Sequence, residues 1–227
     1  MSGQDRGLDT DERIYRTIFD GIMQQRLTPG TKLPEIALCE LFSVSRSVVR
    51  RVLQRLAHDH VVDLRPNRGA TIATPSAQET REIFEARRAI EAAIVRLATR
   101  NATADDFLAL RRQLEDEHEA MHRFEQPAWA RLASAFHLRI AKLARNPILE
   151  AYLKEIASRC SLIVALYEPW GNASCEHAEH EEIVACMEAG DAEGAARLME
   201  AHLQALENNI SLRPSDPQKT LKQRLGL

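Results

Sequence analysis

Beyond residue 76 the chain loses every strand signal. From Ala77 to Ile210 apolar residues recur at helical spacing, and the pattern breaks only at turn-forming clusters. These are Asn101-Ala102-Thr103, Gln126-Pro127, Asn146-Pro147, Glu168-Pro169-Trp170-Gly171-Asn172 and Gly190-Asp191. The spacing predicts six helices over 77–100, 103–124, 128–145, 147–168, 174–189 and 191–210. Short connections make neighbouring helices antiparallel, so this stretch is expected to fold as an all-α six-helix bundle. Aromatic residues are 5% of the chain, which leaves Leu, Ala, Ile and Val to fill the core. A hydrophobic content of 44% is enough to exclude a disordered chain. No apolar run approaches the ~20 residues a membrane-spanning helix needs, and residues 1–10 are polar, without a signal segment. A cytoplasmic location is therefore expected. Cys39, Cys160, Cys175 and Cys186 are scattered without CxxC pairing and read as small hydrophobes rather than disulfides or a zinc ribbon. The tail from Arg213 onward, with Pro214 and Pro217, is expected to be loosely held.

The first 76 residues are organised differently. Ile14, Ile18, Ile22 and Leu27 predict a helix that stops at Thr28-Pro29-Gly30. Pro34 opens a short second helix with Ile36, Ala37, Leu38 and Leu41 on its apolar side. Ser43-Val44 turns the chain, and Ser45 is placed to cap a third helix whose stripe is Val49, Val52, Leu53 and Leu56. Residues 61–64 and 70–73 then read as two strands joined by Arg65-Pro66-Asn67-Arg68-Gly69. Charge is divided along the chain. Between Val44 and Gly69 stand Arg46, Arg50, Arg51, Arg55, Arg65 and Arg68 against Asp59 and Asp63, whereas residues 115–119 and 176–182 are acid-rich. The net charge of −3 tells against indiscriminate nucleic-acid binding, but its distribution marks a local basic face.

A short helix, a tight turn and a second helix bearing arginines form a helix-turn-helix, and the hairpin after them forms a wing. Arg46 and Arg50 are four residues apart and project from one side near the helix start. A guanidinium there can bridge guanine O6 and N7. The helix N-terminus with the hydroxyls of Ser45 and Ser47 suits phosphate. Arg68 favours the negative potential of a minor groove, and Gly69 lets the backbone come close to it. The alternative, a solvated arginine face on an ordinary helix, is disfavoured by the short helix before it and the hairpin after it.

These residues carry a resemblance. Thr28-Pro29-Gly30-Thr31-Lys32-Leu33-Pro34-Glu35, then Val44-Ser45-Arg46-Ser47-Val48-Val49-Arg50-Arg51-Val52-Leu53, then Pro66-Asn67-Arg68-Gly69-Ala70 resemble the winged helix of GntR-family bacterial regulators. Downstream, Arg87-Arg88-Ala89-Ile90-Glu91, Phe136-His137, Arg145-Asn146-Pro147, His180-Glu181-Glu182-Ile183, Ala189-Gly190-Asp191 and His202-Leu203 are similar to the FCD effector domain of the FadR subfamily. The resemblance spans roughly residues 10–210. It implies a winged helix-turn-helix over 10–74, an effector-binding and dimerisation domain over 77–211 and a tail over 212–227. Two positions depart from the family pattern. Arg51 stands where an acid is usual, adding a phosphate contact, and Gln25-Arg26 replaces a usual glycine position.

Helix arithmetic brings three histidines together. His137 lies nine residues before Asn146, His180 ten before Gly190 and His202 eleven after Asp191. At ~1.5 Å per residue all three sit roughly 14–17 Å from the same end of an antiparallel bundle. Each falls in an apolar stripe, so they are either satisfied core histidines or a metal-ligand set. The resemblance implies the second, with an aspartate one turn before the first histidine. Ala133 occupies that position, leaving a neutral three-histidine site for zinc or nickel, completed by water or by the effector. Arg87 lies about 6 Å in axial depth from that level and matches the arginine through which FCD regulators hold acidic effectors. A salt bridge to Glu91 is its alternative. Arg159 and Tyr167 are also placed towards the effector, and the His118/His122 pair reads as a solvated helix face.

The expected protein is a ligand-responsive transcriptional regulator, a repressor by resemblance. It binds double-stranded DNA at an inverted-repeat operator as a homodimer, senses a small organic acid, and has no catalytic residues. One rival is a metal-dependent enzyme on the three histidines with Glu181 or Glu182 as base. The module at 11–73, which a small hydrolase does not need, argues against it. The other rival is an architectural DNA-binding protein whose bundle only dimerises, and this would have a dry, sealed core.

Overall fold

The computed structural model describes residues 3–23, 26–66, 68–123, 125–167, 173–210 and 221–226. The expected break at 168–172, Gln25, Asn67, the side chain of Cys175 and the tail residues 211–220 lie outside them. The chain divides into two compact units. One holds residues 1–76 with 162–167 and the C-terminal segment from 212; the other holds 77–161 and 168–211.

The first unit contains α1 (Gly3–Met23), β1 (Lys32–Leu33), α2 (Glu35–Phe42), α3 (Arg46–His58), β2 (Val62–Arg65) and β3 (Gly69–Ile72). Ile14, Ile18 and Ile22 of α1 are fully buried against Leu38, Val49, Leu53 and Leu56. The turn between α2 and α3 is made by Ser43, whose φ of 54° is left-handed, while the Val44 N–H donates to the Cys39 carbonyl at 3.1 Å. Ser45 occupies the N-cap of α3 with extended backbone, but its hydroxyl does not cap; Ser45 Oγ and Ser47 Oγ bond each other at 2.8 Å. The two-stranded hairpin expected from the sequence gains a third strand. The sheet order is β1-β3-β2, antiparallel, with Leu33 opposite Ala70. Two residues are too few for any alternation to show. The tail expectation is also corrected in part. Residues Leu221–Leu225 form a short helix, α10, and Leu225 is buried in this unit's core.

The second unit is helical throughout its described residues. It comprises α4 (Ala77–Asn101), α5 (Ala104–His122), α6 (Gln126–Leu143), most of α7 (Pro147–Tyr167), α8 (Ala173–Glu188) and α9 (Ala192–Asn209). The breaks are chemically marked. Thr103 and Asp106 form a capping box, Asn146 Oδ1 accepts from the N–H groups of Ile148 and Leu149, and Asp191 caps α9 through the Gly194 N–H. Val95, Leu110, Phe136, Ile140, Ile183, Val184 and Leu203 form the core. The mainly-α fold expected from the sequence is the one observed. No described helix is long and apolar enough to cross a membrane.

Candidate functional site

On α3 the arginines named from the sequence separate into two kinds. Arg46 is exposed and makes no ion pair among the described residues. Arg50 Nε donates to both Glu35 carboxylate oxygens at 3.1 Å, and Arg51 Nε and Nη2 donate to Asp11 at 3.0 Å. Arg55 Nη1 donates to Glu12 Oε2 at 2.7 Å, and its guanidinium lies 4.0 Å over the Tyr15 ring. These contacts brace α1 and α2 against α3. Arg68 is exposed at the hairpin tip, where its N–H donates to the Arg65 carbonyl. Gly69 has a different reason from the one expected. Its φ is +94°, and a Cβ there would sit 2.2 Å from the Leu33 carbonyl oxygen. The β1–β3 pairing therefore needs glycine before any DNA approaches.

In the second unit α6, α8 and α9 bring His137, His180 and His202 together. Their ligating nitrogens lie within 4.8 Å of one another, and all three residues are buried. The ring centroids are 4.8–5.4 Å apart, and Phe136 stacks on His180. A second layer missing from the sequence expectation orients them. Each Nδ1 faces a different carboxyl group: His137 to Glu91 at 2.6 Å, His180 to Glu117 at 3.0 Å and His202 to Glu179 at 2.6 Å. With Nδ1–H donated outwards, each Nε2 keeps its lone pair, which is the tautomer a metal ligand needs.

Electrostatics support that assignment. Burial pulls the His137 imidazole down to about 4, with Arg87 adding to the effect and Glu91 opposing it. Burial, with His202 and His137 beside it, also holds His180 well below the ordinary histidine range. Both are neutral at neutral pH. Burial pushes the Glu117 carboxyl up to about 8, against a Gln113 hydrogen bond. Glu91 is also buried, which alone would raise it, but Arg87 and His137 bring it down to about 2. His180 Nε2 and Glu117 Oε1 are buried with no hydrogen-bond partner among the described residues. A divalent cation between the three Nε2 atoms would satisfy the first directly and favour the ionised form of the second. The donor set fits zinc or nickel. Ala133, 8% exposed and packed with Ala120 and Trp129, supplies no oxygen.

Arg87, Arg159 and Tyr167 are the other residues expected to contact the effector. Arg87 is buried with its guanidinium committed to Glu91 at 2.5 Å and to Cys160 Sγ at 3.0 Å, so the alternative to effector contact is what appears. Burial works against its charge, but Glu91 and Cys160 more than offset this, and Arg87 remains a guanidinium. It acts on the histidines through Glu91. Arg159 is half-buried on α7. Tyr167 is buried and belongs to the first unit. His118 and His122 are exposed on α5, as expected, but are not simply solvated: their Nε2 atoms are 2.9 Å apart.

A winged helix-turn-helix with an exposed arginine on its reading helix, followed by a helical domain that buries an oriented histidine cluster, has the architecture of a DNA-binding regulator. The chain belongs to the GntR family of bacterial regulatory proteins: that family matches residues 10–72, and the FCD domain matches residues 82–205. It is 24% identical over 203 residues to the HTH-type transcriptional repressor RspR of Escherichia coli K12, covering 88% of each chain. It is 26% identical over 171 residues to the galactonate operon transcriptional repressor of the same organism, covering 66% of this chain and 74% of that one. Its fold is shared with Escherichia coli McbR/YncC at a TM-score of 0.71 and 23% identity, over 88% and 93% of the two chains. The protein is a transcriptional regulator and not an enzyme.

Proposed function

We propose that this regulator is a repressor that binds an inverted-repeat operator as a homodimer and responds to a small organic acid at a metal held by His137, His180 and His202. The observation that carries the reading is the convergence of three buried imidazoles, each oriented by its own carboxyl group. Burying that many polar groups without purpose is costly, which disfavours a bundle that only dimerises. Three protein nitrogens leave a coordination position open, and Ala133 keeps it from being filled internally. A carboxylate can ligate a cation there, and one relative takes its name from galactonate, an organic acid. Arg159 is the remaining cationic partner for the effector. In the reading head, Arg46 contacts bases, while the Ser45 and Ser47 hydroxyls and the α3 N-terminus contact phosphate. Arg68 enters the minor groove. Arg50 and Arg51 exchange their acids for phosphate when DNA arrives. The winged helix over 10–74 and the effector domain over 77–211 are linked by residues 75–76, and effector binding shifts operator affinity by ~1–3 kcal/mol.

Selection of duplexes from a random library by the purified full chain tests the reading. The expected result is an enriched inverted repeat bound by two protomers, with affinity reduced about 5–150-fold by an organic acid in the presence of zinc. Enrichment of single, unrepeated sites would contradict it.

A further inference from the structure

Next to the buried histidines, but towards the outside of the helical unit, lies a second group of histidines. His118 and His122 are one turn apart on α5 and turn the same nitrogen towards each other, with Nε2 atoms 2.9 Å apart and rings edge-to-face at 4.3 Å. Two histidines at this spacing on one helix face form a chelating pair. From α8, His177 packs its ring 5.2 Å from that of His118, and its Nε2 lies 3.7 Å from Glu181 Oε1, itself one turn further along α8. Two one-turn pairs, one His-His and one His-Glu, therefore meet across two helices. His177 is only 7% exposed, and its Nδ1 is buried with no hydrogen-bond partner, 3.9 Å from Glu117 Oε2. A buried imidazole with an unpartnered nitrogen and its other nitrogen turned towards Glu181 is poised to accept a ligand at that side.

We propose that His118, His122 and His177, with Glu181 as fourth ligand, form an exterior site for a borderline divalent cation such as nickel or zinc. Three imidazoles and a carboxylate suit those ions and not calcium or magnesium. Glu115, Asp116 and Glu119 on the same helix raise the local cation concentration. His118, His122 and Glu181 are at the surface, where their side chains have room to turn towards an ion. The site does not depend on the interior triad, although Glu117 lies near both: it accepts from His180 and is 3.9 Å from His177 Nδ1.

Calorimetric titration of chelator-treated full-length protein with nickel tests the site. Wild type should take up two equivalents. The double variant His118→Ala/His122→Ala, at exposed positions, should keep its circular dichroism and lose one equivalent. His177→Ala should weaken the exterior class about tenfold or more. Unchanged isotherms in the double variant would overturn the proposal. So would an unaffected His177→Ala, which would mark an ordinary exposed histidine pair. His180→Asn separates this site from the interior one. Should His180→Asn bind as wild type while the double variant binds nothing, the exterior site stands and the interior reading fails.

Discussion

In the N-terminal unit Arg50, Arg51 and Arg55 meet their acids at the surface, each arginine side chain about half exposed. In the helical unit Arg87 meets Glu91 with 6% and 1% of their side-chain surfaces exposed, and Glu91 passes the contact on to His137. The same charge chemistry does two jobs. Surface pairs are screened by water and salt, contribute little to stability and can be exchanged for phosphate. Buried pairs cannot be exchanged without leaving a charge stranded, so they fix side-chain positions instead.

The most severe test of that contrast is Glu91→Gln. It strands the Arg87 guanidinium and releases His137, and should cost ~3–5 kcal/mol in urea unfolding of the helical unit. An unchanged midpoint would break the comparison. Gly69→Ala should come next. The left-handed backbone alone costs ~1–3 kcal/mol, and the Leu33 carbonyl adds a clash, so the N-terminal unit should lose stability together with DNA binding. If DNA binding falls while the unit's unfolding midpoint stays put, Gly69 serves the wing and not the sheet. Arg46→Ala should leave unfolding unaltered and cost ~1–3 kcal/mol of operator affinity, read by fluorescence anisotropy. Arg51→Ala should lower the melting temperature only slightly, by the small worth of a surface ion pair, while weakening binding to all duplexes alike. A large drop in melting temperature would mean that the surface pair with Asp11 behaves as the buried one does.

Much of this was legible in the residues. The helix-turn-helix, the hairpin and the level shared by His137, His180 and His202 follow from periodicity and helix rise. Glu117 was readable too. Leu110, Gln113, Leu114, Glu117 and Ala120 form the buried stripe of α5, so the acid occupies a core position, but the flanking acids disguised it as part of a solvated run. Arg87 and Glu91 likewise sit in the buried stripe of α4. Glu179 gave no such signal, because it is only partly buried and its partner is on another helix. The role of Gly69 depends on Leu33, far earlier in the chain, and Leu225 finds its place only through tertiary packing. Contacts of that range leave no local pattern.

The proposed role of the three interior histidines is to bind one metal ion. Zinc titration in the His118→Ala/His122→Ala background tests it directly, comparing that protein with versions carrying in addition Ala133→Asp or His180→Ala. Position 133 is one turn before His137 on the same face of α6, so an aspartate there should add an oxygen ligand and tighten binding. His180→Ala should weaken binding about tenfold or more. Equal zinc affinity in all three proteins would contradict the claim and leave the histidines as hydrogen-bonding groups for the effector.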